Sequence, residues 1–193
     1  MSGKGVKNVV GEAKESFVGA IEGMGDIAGA IVDTVSRIMV RTLRGTNAVG
    51  GELVALGAGT VTGVVHGVAE VGAAVGTAAR SIMVGALRGA QQVGVVTIDT
   101  VSTNAGALVR STADVGGDVA GAAKGAVEGA IEAARDIGMT AEEAAGAAAS
   151  GALKAAGGVS SAAVAQVRKA LTGTVSGVKD VLKEPFRGDP KRA

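Results

Sequence analysis

The side chains able to do chemistry are few and scattered. His66 is the sole histidine and the chain has no cysteine. No histidine cluster or thiolate set is therefore present to ligate a metal, and disulfides are excluded. His66 falls on a polar helical arc without the partner set that nucleophilic or acid/base catalysis requires. The adjacent pair Glu142-Glu143 reads as negative charge at a helix N-terminus, where the helix dipole favours it, and not as an acid/base dyad. Gly57-Ala58-Gly59 lacks the third glycine of a dinucleotide fingerprint, and Gly121 to Gly125 (GAAKG) lacks the Ser or Thr that follows Lys in a phosphate loop. Neither follows a credible strand. Aromatic residues make up 1% of the chain, so bases have almost nothing to stack on and nucleic-acid binding is disfavoured. These residues point to no catalytic site, no cofactor, no metal, no small-molecule substrate and no enzyme.

Order lies elsewhere, in a repeat. GALRGAQQVG (85–94) returns as GAIEAARDIG (129–138) and as GALKAAGGVS (151–160), and further copies at 19–28, 41–50, 63–72, 107–116 and 173–182 share a step of twenty-two. Counting from Gly19, the third position reads Ile21, Leu43, Val65, Leu87, Val109, Ile131, Leu153, Val175. The ninth reads Ile27, Val49, Val71, Val93, Val115, Ile137, Val159, Val181. Both columns are branched aliphatics throughout. A fainter half-step of eleven equals three helical turns, which keeps a pattern on one face over long distances. On that wheel a broad arc collects Ala, Val, Ile, Leu, Met and Gly. The opposite arc holds Glu22, Asp26, Asp33, Arg37, Arg44, His66, Glu70, Arg88, Asp99, Arg110, Asp114, Glu132, Asp136 and Lys154. This is the pattern of an amphipathic helix.

The elements that would carry the pattern are all helical. Residues 1–18 form a lead-in, 19–183 the eight-unit array, and 184–193 a basic tail in which Pro185 and Pro190 stop the last helix. Breaks are expected near 138–140, where Gly138 precedes a Thr140 cap with Glu143 three residues on, and near 157–160. Weaker ones fall at Gly50-Gly51 and Gly116-Gly117. Helices of about fifteen to sixty residues result. The apolar fraction is 47%, but Gly contributes 33 residues and aromatics are almost absent. Large side chains carry most of a core's burial energy. The expected fold is therefore all-α, with long amphipathic helices built on an 11/22-residue repeat, extended or folded into hairpins, and without a compact globular core.

Charge is nearly balanced at +1 but segmented. Residues 34–110 carry six basic against three acidic side chains, and residues 112–143 carry seven acidic against two basic. Such blocks could align neighbouring chains or fold the acidic segment back on the basic one. The stretch 53–69, between Glu52 and Glu70, is uncharged and, at about seventeen residues, stands at the lower limit for spanning a bilayer. The opening MSGKGVKNVV has no apolar run of a secretory signal. Gly59, Gly63 and Gly67 form a GxxxGxxxG row, the spacing that lets helices approach closely.

The segment GVVHGVA (63–69) resembles the start of a synuclein repeat, and Val61-Thr62-Gly63-Val64 has the same character. The wider periodicity is similar to that of synucleins, exchangeable apolipoproteins and some late-embryogenesis-abundant proteins. The lysine-rich core of the synuclein repeat and the proline punctuation of apolipoproteins are absent from this chain. The resemblance implies an amphipathic helix that binds surfaces. The expectation is a non-enzymatic protein, cytoplasmic and peripheral to a membrane, lipid droplet or storage granule. Both aliphatic columns would face lipid or a partner, and the glycine row would pack helices. The alternatives are a self-assembling structural protein, with homo-oligomers built through the same faces, and a stress protectant.

Overall fold

Gly72, Gly94, Gly116 and Gly138 stand twenty-two residues apart, and their φ angles all lie between 72° and 77°. A residue with a Cβ pays for that left-handed conformation, and glycine does not. Each of the four ends a helix in the same way. The glycine N–H donates to the carbonyl three residues back, and the next N–H reaches the carbonyl five back, as in Gly72 to Ala69 (3.1 Å) and Ala73 to Val68 (3.0 Å). This is the Schellman closure, which satisfies carbonyls that the helix end would leave bare. One repeat is thus one helix plus one reversing turn.

A computed structural model describes residues 3–21, 27–172, 175, 177 and 178. Among these residues the helices are α1 (Gly3–Ile21), α2 (Ile27–Arg44), α3 (Gly51–Glu70), α4 (Val75–Val93), α5 (Ile98–Asp114), α6 (Val119–Ala133), α7 (Ala141–Val159) and α8 (Ser161–Leu171). Starts are specified as locally as stops. Thr97 and Thr140 each close a capping box, Asp118 accepts from Gly121 N–H, and Ser160 accepts from Ala163 N–H. Residues 138–140 precede α7; of 157–160 only Ser160 interrupts the chain, between α7 and α8, while Gly157, Gly158 and Val159 are the last residues of α7; and the links before α3 and α6 contain Gly50 and Gly116-Gly117. The turns at Gly72 and Gly94 interrupt what the eleven-residue half-step read as continuous helix. The lead-in merges with the first unit, since α1 crosses residue 18. The tail 184–193 lies outside the described residues.

Helices α1, α2, α4 and α5 each pack most closely on the next but one, and α3 packs most closely on α1. Odd-numbered helices form one layer and even-numbered helices another, and the short turns reverse the chain between them. The two inner faces make one core, in which Met39, Val65, Ile82, Met83, Leu87 and Leu108 are fully buried among many alanines. The all-α expectation stands, but the expectation of no compact core does not. Small side chains fill a core when backbones approach closely enough, and each buried methyl then contributes about 0.8 kcal/mol. The polar arc lies outward: Arg37, Arg44, Glu70, Asp99, Arg110, Asp114, Glu132, Asp136 and Lys154 are exposed.

Two outcomes test the turn chemistry. Gly116→Ala, at φ 72°, is expected to lower stability by about 1–2 kcal/mol in urea unfolding. Gly146→Ala, within α7 and with open space around it, is expected to raise it by about 0.5–1 kcal/mol. Shifts of the same sign would refute the assignment. A pH test concerns Glu143, whose carboxyl is held below the ordinary glutamate range first by the Thr140 backbone N–H and then by its hydroxyl. A lowered folded pKa stabilises above the unfolded value and is lost as pH falls through the folded one. Glu143→Gln should therefore lose stability relative to wild type at neutral pH, and the gap should close in mildly acidic urea titrations below the usual carboxylate range.

Candidate functional site

The glycine row marks where helices touch. A Cβ built on Gly59 would lie 3.1 Å from Val6 Cγ1, one on Gly67 would lie 2.9 Å from Phe17 Cδ1, and one on Gly63 would run into the Val10 carbonyl. The row therefore seats α3 against α1 of the same chain. The pattern recurs one layer over. A Cβ on Gly85 would be 2.6 Å from the Val32 carbonyl of α2, and one on Gly129 would be 2.6 Å from the Arg80 carbonyl of α4. Gly151 of α7 sits directly on the Ser102 backbone of α5. At Gly63, Gly85, Gly129 and Gly151 no side chain fits without moving a backbone, whereas at Gly59 and Gly67 the Val6 and Phe17 side chains would have to give.

The third-position column supplies the core between the layers. Leu43, Val65, Leu87, Val109 and Val175 are buried, and Ile131 and Leu153 are half-buried against them. They face the chain itself, which corrects their expected outward orientation. The ninth-position column sits at helix ends. Val93, Val115 and Ile137 are partly covered, and Val49, Val71 and Val159 are exposed. The two columns therefore do not share one face. Ile21 and Ile27 are helical in backbone, but their side chains, and all of Val181, lie outside the described residues.

Charge closes the outer edges of the same pairings. The Arg80 guanidinium donates to Glu132 Oε2 at 2.7 and 2.8 Å, Arg88 Nε to Asp136 Oδ2 at 2.8 Å, and Lys14 Nζ to Glu70 Oε2 at 3.0 Å. Two of these join the basic segment to the acidic one, so the acidic block folds back within the chain. All are part-exposed, and each contributes about 1 kcal/mol or less.

Among the described residues no three acidic, histidine or cysteine side chains gather as metal ligands. Gly57-Ala58-Gly59 lies inside α3 and Gly121 to Gly125 inside α6, so neither forms the loop that cradles phosphate. Glu143 is occupied as a cap. His66 Nε2 and both amide atoms of Asn104 are buried without partners. The open grooves, about 820, 520 and 630 Å³, lie on the outer face of the even layer, where Arg80, Arg88, Asp118 and Glu132 line them but are already engaged. Exposed aliphatics stand at helix ends: Val49 (76% exposed) lies in the link between α2 and α3, Ile98 (57%) is the first residue of α5, and Val71 and Val159 are exposed at the ends of α3 and α7, while Val95, Val96 and Met139 in the links are half-buried. Helix α3 alone among the described helices is long and apolar enough to cross a membrane, and half of it is buried within the protein. The sequence reading missed the left-handed glycine column and the exposed Ile98. The first was legible as five glycines at a step of twenty-two, Gly50 to Gly138.

No protein-family model matches this chain, and no curated protein matches it.

The close approach is testable. Gly129→Val would drive methyl groups into the Arg80 carbonyl and Met83, and a loss of about 1–3 kcal/mol is expected from overpacking, read as a fall in thermal midpoint. Gly157→Val, with open space around it, should change the midpoint far less.

Proposed function

We propose that this protein is a non-enzymatic structural helical-repeat module, which acts by presenting its outer layers to partners, further copies of itself included. The observation that carries this reading is that the third-position column is consumed inside the fold: Leu43, Val65, Leu87 and Val109 cover one another between the layers. A stack in which each unit packs on neighbours by one rule is the architecture of solenoid scaffolds, whose surfaces and not their cores do the work.

A lipid-surface role is the second reading, and the exposed aliphatics favour it. Val49, in the link between α2 and α3, and Ile98, at the start of α5, are the most exposed large aliphatics, and exposed aliphatics at helix ends suit shallow insertion into a membrane or droplet surface. In this form the bundle touches lipid through its helix ends, and the buried third-position column stays inside.

Circular dichroism and sedimentation, with and without neutral or anionic vesicles, separate the two. The structural reading expects full helicity and cooperative unfolding without lipid, and no helix gained on adding vesicles. A weakly helical chain that becomes helical only on vesicles would overturn it in favour of a lipid coat. Vesicle flotation of a fully helical protein that is abolished by Val49→Asp with Ile98→Asp would establish docking through the helix ends. Sedimentation decides whether copies associate.

A further inference from the structure

We infer that the seam between α3 and α5 is a joint at which the odd layer opens while the even layer holds. The first-position column reads Gly63, Gly85, Ala107, Gly129, Gly151. In α3, α4, α6 and α7 that position is the glycine that lets two backbones meet. Among these five helices only α5 breaks the column, as Arg41 does earlier in α2, and its row Thr103, Ala107, Ser111 carries side chains where α3 has Gly59, Gly63, Gly67. The α3–α5 seam is accordingly the least extensive of the next-but-one pairings among α1 to α7.

What lies in the seam is polar. Ser111 Oγ donates to Thr62 Oγ1 at 3.0 Å. Asn104 is completely buried, with neither its amide nitrogen nor its oxygen bonded. A Cβ on Gly57 would rest 3.6 Å from Asn104 Oδ1, an ordinary contact and not a clasp. No ion pair among the described residues crosses the seam, whereas Lys14–Glu70 closes α1 on α3 and Arg80–Glu132 closes α4 on α6. A buried amide without partners favours any state in which water reaches it. The layer beneath resists parting, because α4 and α6 form the most extensive pairing of all, clasped at Gly125 and Gly129. Neighbouring α4 and α5 are the least engaged pair. Opening at α3–α5 therefore breaks little and pivots on α4–α6. This property does not depend on either reading of function.

The chain has no cysteine, so single thiols report opening directly. Ser111→Cys places one in the seam, and Met83→Cys places one against Gly129 in the α4–α6 pairing. Both positions are buried, and circular dichroism first establishes that each variant is folded. With excess thiol reagent in native buffer, Ser111→Cys should label faster than Met83→Cys by about tenfold or more, with a shallow urea dependence typical of local opening. Adding Asn104→Leu to Ser111→Cys should slow labelling severalfold, since the unpartnered amide is gone. Equal rates at the two positions, both as steep in urea as global unfolding, would overturn the joint. A rate unmoved by Asn104→Leu would overturn the part assigned to Asn104.

Discussion

Helix backbones in this protein meet where a Cβ cannot stand, and most of the rest follows from that distance. Gly63 on the Val10 carbonyl, Gly85 on that of Val32, Gly129 on that of Arg80 and Gly151 on Ser102 are contacts between main chains. At such separations alanine methyls span the gap, so a core made largely of Ala122, Ala126, Ala130, Ala144, Ala148 and Ala152 is fully buried. Dispersion and hydrophobic burial depend on contact and not on side-chain size as such. A low aromatic content makes a core thin but does not prevent one. Glycine lowers helix propensity by about 0.5–1 kcal/mol per position, and here the tertiary contact it permits offsets that cost.

The period is set by the same economy of length. Helices α1 to α7, of 15 to 20 residues from α6 to α3, leave a few positions in each twenty-two for a Schellman stop, a short link and a cap. Because the turn always falls at the same phase, equivalent faces return every second unit pointing the same way. Next-but-one helices then run parallel, with forty-four residues between equivalent positions, and the first-position glycine of one meets the backbone of the other. The long ion pairs obey that register, with Arg80 to Glu132 and Arg88 to Asp136 separated by 52 and 48 residues.

Much of this was legible in the sequence where the determinant is local. The helical class, the outward polar arc, the Thr140–Glu143 box and the Ser160 boundary depend on neighbours within one turn, and the residue types alone carry them. Two things were not legible. The eleven-residue half-step made the third and ninth columns look like one face, whereas Val71 and Val115 are C-cap residues just before left-handed glycines. Which surface covers an apolar arc is also undetermined by periodicity, since sister helices and lipid satisfy Val65 and Leu87 equally well. Only the register of whole helices decides, and register emerges from close contacts scattered 45 to 56 residues apart in the chain.

That ambiguity bears on function in a definite way. A helix whose apolar face is made of small residues fits a sister helix better than it fits lipid, because lipid chains supply no rigid groove and gain little from a glycine. The value of Gly63 or Gly129 is realised only against another backbone. A chain under pressure to coat lipid would fill those positions with Leu or Val, which bury more area. This chain keeps glycine there in four of five successive helices, α3 to α7, and its most exposed aliphatics, Val49 and Ile98, stand in a link and at a helix start. The exception in the column, Ala107, falls at the one internal seam that also holds an unpartnered buried amide. Small residues thus bind the stack together, and the positions that depart from the rule are where its surface and its movement are to be sought.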